Sequence, residues 1–175
     1  MYLALAGLYR AKWSAGVHEE WIAALLRNRP DLSRQKLERA RQLMDLHAID
    51  ALVTKYEYLI PRLRLPDPND RHVLAAAVRG KADVLVTANL RHFPASTLEK
   101  YGIEPLHPDT FLGRLLDNGP MIVVKAAEEH RISLKNPPKT IDQYLGVLAN
   151  QGLKRTVARL RRLYPASSTA TIAPP

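Results

Sequence analysis

The chain has 175 residues, 46% of them hydrophobic, enough for one domain with a real core and an appendage. It contains no cysteine, which excludes disulfides, zinc–thiolate sites and a thiol nucleophile, and which fits a cytoplasmic location. A formal net charge of +9 and a pI near 10.0 favour an anionic partner, nucleic acid before a membrane surface.

Charge is unevenly spread. Residues 131–175 hold eight basic residues against Asp142 alone, net +7, which leaves +2 for residues 1–130. No apolar run approaches the roughly 20 residues that span a bilayer, so no membrane partner is expected. The opening MYLALAGLY lacks the basic leader of a signal peptide.

In chain order, residues 1–8 read as the end of a helix and YRAKW (9–13) as a short strand. Ser14 is placed to cap a helix through Leu26, with an apolar stripe of Trp21, Ile22, Leu25 and Leu26. After Pro30, Asp31 or Ser33 caps a second helix with Leu37, Ala40, Leu43 and Met44 at helical spacing. ALVT (51–54) reads as a strand, followed by a loop to Pro66. Asp67 as N-cap, Pro68 at the first helical position and Asp70 two residues on predict a capping box, with Val73, Leu74, Ala77 and Val78 inward and Gly80 at the end. DVLVT (83–87) is nearly all apolar, as expected of a parallel strand covered on both faces.

A short helix near 96–100, a strand at 102–106 and a helix capped by Asp109 follow. Strand–helix alternation of this kind implies an α/β fold, a three-layer core around a parallel sheet. Beyond Gly119-Pro120 the pattern is helical. One helix reaches about Leu134, KNPPK breaks it, Thr140 caps a second, and Gly152 separates a third carrying Val157, Leu160 and Leu163. The domains expected are 1–118, a helical basic extension at 119–164, and a disordered tail at 165–175.

No Gly-rich phosphate loop, GxSxG elbow or HExxH motif is present, and the six histidines show no pair at ligand spacing, so most read as surface or capping residues. What remains is acids at the C-terminal edge of a parallel sheet, where such folds bind ligands. Asp67 and Asp70 head one helix, Glu19 and Glu20 lie early in another, and Asn89 follows the DVLVT strand. Each is equally explained as a cap or a turn residue. Brought together, carboxylates and an amide make a hard oxygen site for Mg²⁺ or Mn²⁺, the requirement for metal-assisted phosphodiester hydrolysis.

The run DPNDRHVLAAAVRGKADVLVTANLRHFP, with WSAGVHEEWIAALLRNRPDLS upstream, resembles the PIN-domain nucleases, and within them the VapC-type ribonuclease toxins of type II toxin–antitoxin systems. The resemblance implies that Glu20, rather than its neighbour Glu19, and Asp70, with Asp67 beside it, are catalytic acids. It places the family's T-x-D/N position on Asn89, supported by Thr87. Glu20, Asp70 and Asn89 would then ligate Mg²⁺ or Mn²⁺, with RNA as substrate, a cognate antitoxin as partner, and a homodimer as the assembly. GIEPLHPDTFL resembles the family's last strand and helix, and HRISLKNPPKTIDQYLGVLANQGLKRTVARLRRL the helical extension of a VapC subgroup.

There are three departures. PIN domains open with a strand ending in a metal-binding Asp, whereas no acid here precedes Glu19, which implies feeble cleavage or a non-catalytic remnant that binds nucleic acid or antitoxin. Asn89 stands where an Asp is common, and Arg71 where relatives often carry a second acid.

Overall fold

A computed structural model describes residues 2–164. The tail expected at 165–175 lies outside the described residues. By its internal contacts the chain divides into two compact units between His107 and Pro108. Helix Pro108–Asn118, which sequence grouped with the first domain, packs instead with the C-terminal helices.

The first unit contains helices α1 (Tyr2–Leu5, whose first residue Tyr2 groups with the second unit), α2 (Ala15–Asn28), α3 (Arg34–His47), α4 (Arg71–Arg79) and α5 (Ala95–Leu98). Its strands are β1 (Trp13–Ser14), β2 (Leu52–Val53), β3 (Val84–Val86) and β4 (Glu104–Leu106). They pair in parallel, β1 with β2 and β3 with β4, in register Trp13↔Leu52 and Val84↔Glu104. Parallel pairing and intervening helices are the expected α/β architecture. Among the described residues the strands form two pairs rather than one continuous sheet. The 9–13 strand shrinks to its last residue plus Ser14, and Val86 is 43% exposed, so β3 is not covered on both faces. The core of this unit gathers Val53, Leu63, Leu74, Leu85, Phe93 and Leu98 from strands, helices and loops.

Capping explains where α2 and α3 begin. Ser14 Oγ accepts from Val17 N at 3.3 Å, and Ser33 Oγ, not Asp31, from Lys36 N at 3.4 Å. Asp31 pairs with Arg29 instead. Within α2 the buried residues are His18 and Ile22, while Leu25 of the expected stripe is 37% exposed. His18 is fully buried because both ring nitrogens are used. Trp21 Nε1 donates to its Nδ1 at 2.9 Å, and its Nε2 lies 3.0 Å from Asp45 Oδ1 on α3. Trp13 Nε1 donates to the same oxygen at 2.7 Å, so one carboxylate ties β1, α2 and α3 together.

The second unit is helical: α6 (Pro108–Asn118), α7 (Pro120–Ser133), α8 (Ile141–Asn150) and α9 (Lys154–Leu163). Thr140 and Gln143 form a full capping box on α8. Asp109 lies in the first turn of its own helix. Its buried carboxylate accepts from Arg155 N at 2.9 Å and Thr156 N at 2.8 Å, so it caps α9 from α6. Leu153, which precedes α9, offers no side-chain cap of its own. Among the described residues no helix is long and apolar enough to cross a membrane.

Candidate metal centre

Asp67 and Asp70 do not form the expected capping box. Asp67 caps a single 3-10 turn, Pro68–Asp70, by accepting from Asn69 N at 2.9 Å. Helix α4 starts one residue later, at Arg71, and Asp70 makes no side-chain cap bond to it. Its carboxylate turns to His92, with Oδ2 2.6 Å from Nδ1. Asp67 Oδ2 lies 3.8 Å from the same nitrogen. One ligand atom from each of Asp67, Asp70 and His92 falls within 4.8 Å of the other two, the spacing a shared cation requires.

His92 is held by the turn that follows β3. Its N–H donates to Asn89 O at 3.1 Å, and the buried Phe93 beside it, 4% exposed, anchors the turn in the core. Thr87 accepts at Oγ1 from Asn89 N at 3.1 Å, which orders the start of that turn. Asn89 itself is exposed. Thr87 is half-buried, and its N–H donates to Leu106 O at 2.9 Å, which continues the β3–β4 ladder.

Glu20 stands apart from this cluster. It projects from α2, is 56% exposed, and lies 2.8 Å from His72 Nε2 on α4, the helix that follows Asp70. His72 Nδ1 is buried without a partner, which leaves Nε2 as the nitrogen that donates to Glu20. Gly16 makes room for this ring: a Cβ there would sit 2.9 Å from His72 Nδ1 and 3.3 Å from Tyr56 Oη. Glu19 belongs to a surface ion pair with Arg34 at 2.5 Å.

The two histidines are what sequence reasoning missed. No His pair at ligand spacing exists because each pairs with an acid distant in sequence, His72 with Glu20 and His92 with Asp70. The one local signal was His92 three residues past Asn89, in a turn already suspected of carrying the site. The donor set of two carboxylates and an imidazole suits a hard or borderline divalent cation such as Mg²⁺ or Mn²⁺, with the nitrogen favouring the latter.

The PIN-domain family model matches residues 1–91, over half of the chain. The chain belongs to the PIN-domain family. That PIN match takes in Glu20, Asp67, Asp70 and Asn89 and stops one residue short of His92. A second family model, the VapC50 C-terminal domain, matches residues 108–162 and starts where the second compact unit starts. Among curated proteins, the chain is similar to "Putative ribonuclease VapC50" of Mycobacterium tuberculosis, 43% identical over 102 residues. The alignment covers 57% of this chain and 58% of that protein, so the chain spans little more than half of this PIN relative's length. No solved structure matches the chain.

Proposed function

We propose that this protein is a divalent-metal-dependent endoribonuclease of the VapC type, which hydrolyses RNA phosphodiesters. The convergence of Asp67, Asp70 and His92 within 4.8 Å carries the reading, because a PIN fold with a cation-sized acidic cluster has the means to act on a phosphodiester. The name of the mycobacterial relative supports RNA as the substrate, and a cognate antitoxin is the protein partner proposed with it. A homodimer and a cytoplasmic location complete the proposal.

Asp67 and Asp70 supply negative charge that draws a cation to the head of α4, and His92 supplies the third donor. Held by these residues, a Mg²⁺ or Mn²⁺ would supply Lewis acidity toward a phosphoryl group and make a water more acidic. Asp70 fixes the orientation of the His92 ring through their 2.6 Å contact. Thr87 accepts from the backbone N–H of Asn89 and so orders the turn that carries His92. Glu20 is kept in place by His72.

A binding protein without cleavage activity is the second reading. The observation that favours it is the pairing of Glu20 with His72, outside the three-residue cluster.

The test is cleavage of a labelled RNA with Mn²⁺, with Mg²⁺, and with EDTA, beside Asp70→Asn. Cleavage that needs metal and falls by about 10²-fold or more in Asp70→Asn, with circular dichroism unchanged, is the expected result. Metal binding by the wild type without any cleavage would decide for the second reading.

A further inference from the structure

Helix α9 has two faces of opposite character. Thr156, Val157 and Leu160 are buried, whereas Lys154, Arg155, Ala158, Arg161 and Arg162 are exposed. The exposed positions follow the i, i+1, i+4, i+7, i+8 pattern, which places them in one stripe along the helix. From Lys154 to Arg162 that stripe is about 12 Å long at 1.5 Å per residue. Helix α9 contains no acid at all.

The acids of this unit do not neutralise the stripe. Residues 108–164 hold ten basic residues against five acids. Asp109 is spent inside, on the α9 N-terminus. Asp117 pairs with Arg159 at 2.7 Å and Glu128 with Arg131 at 2.5 Å. Asp142 reaches Arg161 at 2.7 Å, but both side chains are largely exposed, so the pair is weak. Among the described residues, the side chains of Lys154, Arg155 and Arg162 have no carboxylate partner.

We propose that this face of α9 binds the phosphate backbone of single-stranded RNA without reading sequence. The proposal rests on the ribonuclease reading for its choice of RNA. A protein partner would need apolar or aromatic anchors at the centre of the contact, and the only apolar residue in the stripe is Ala158. A solubilising face ordinarily interleaves both signs, which this one does not. Phosphate contact needs only cations in a row, and arginines grip phosphate oxygens two at a time. The absence of any aromatic residue from the stripe leaves no platform for base stacking, hence the lack of sequence preference.

The test is fluorescence anisotropy with labelled oligouridine of about 20 nucleotides, from about 50 to 500 mM KCl, in EDTA. Chelation blocks metal-dependent cleavage, so a failure of the ribonuclease reading does not affect the result. Wild type is compared with Lys154→Gln/Arg155→Gln/Arg162→Gln and with Lys36→Gln/Arg39→Gln/Lys100→Gln, which removes three exposed cations from the other unit. Three phosphate contacts at about 0.7 each predict a salt slope lower by about 2 in the stripe variant. Over a tenfold rise in salt, wild type should then lose about 100-fold more affinity than that variant. The control should keep most of the wild-type slope. Equal slopes in wild type and stripe variant, or an equal fall in the control, would overturn the proposal. So would an unchanged RNA slope accompanied by lost binding of a poly-glutamate peptide, which would assign the face to an acidic protein.

Discussion

Asp109 shows how far one side chain's role can lie from its apparent one. Its position at the start of a helix marks it as a local cap, yet its two oxygens accept from backbone N–H groups 46 and 47 residues away. A carboxylate is well suited there, because the first turn of α9 presents unsatisfied donors and the positive end of the helix dipole. Asp109→Ala should cost about 1–3 kcal/mol, the range for losing a cap and leaving buried donors unpaired. Asp109→Asn should fall between, since the amide keeps one acceptor oxygen. Urea denaturation measures both, and an alanine variant with the wild-type midpoint would remove Asp109 from the capping role. His18 is a second such residue: a lone histidine on an apolar helix face, fully buried, with each nitrogen bonded to a different partner.

At the scale of the element, α2 and α4 approach closely because Gly16 has no side chain. The Cβ of an alanine there would need the His72 ring to move, since 2.9 Å to Nδ1 is well inside contact distance. Better helix propensity, worth about 1 kcal/mol, works in favour of the change. Overpacking against a ring held on Glu20 works against it and costs about 1–3 kcal/mol. Gly16→Ala is therefore expected to destabilise modestly and to disturb Glu20 through His72. The same substitution made in a His72→Ala background should lose most of its penalty, because only Tyr56 Oη, at 3.3 Å, then crowds the added Cβ. A double-mutant cycle in thermal or urea unfolding reads this coupling. A penalty of the same size in both backgrounds would place the cause elsewhere.

Across the whole molecule, alkaline titration should reveal the buried phenols. Tyr144 is pushed up to about 12, first by burial and then by the negative charges of Tyr164 and Glu128 nearby. Its hydroxyl lies 2.9 Å from His130 Nδ1. Burial raises Tyr9 and Tyr164 above the ordinary phenol value as well. An acid whose folded value is raised keeps its proton in the native state while the unfolded chain begins to lose its own near pH 10. The stability it contributes is complete below pH 10 and declines as pH rises from 10 to about 12. Wild type should therefore lose thermal stability over that window more steeply than Tyr144→Phe, which has no proton to lose there. Parallel curves for the two proteins would show that Tyr144 does not report on folding.

The sequence by itself determined the elements that local chemistry dictates. Ser14 and Thr140 start helices because a hydroxyl at that position satisfies a free N–H, whatever surrounds it. Parallel pairing, the helical C-terminal region and the PIN resemblance were legible for the same reason: periodicity and motif order lie along the chain. Asp67 and Asp70 stood out as candidates three residues apart, and the structure sets both beside His92. Only the tertiary structure decided which residues meet. It turned Asp70 away from α4 toward His92, set Glu20 against His72, and spent Asp109 on a helix 46 residues downstream. It also placed the division of the chain after His107. Contacts of this kind depend on where loops bring separate segments, and a side chain with one charge to satisfy will take the nearest partner in space, which no local pattern records.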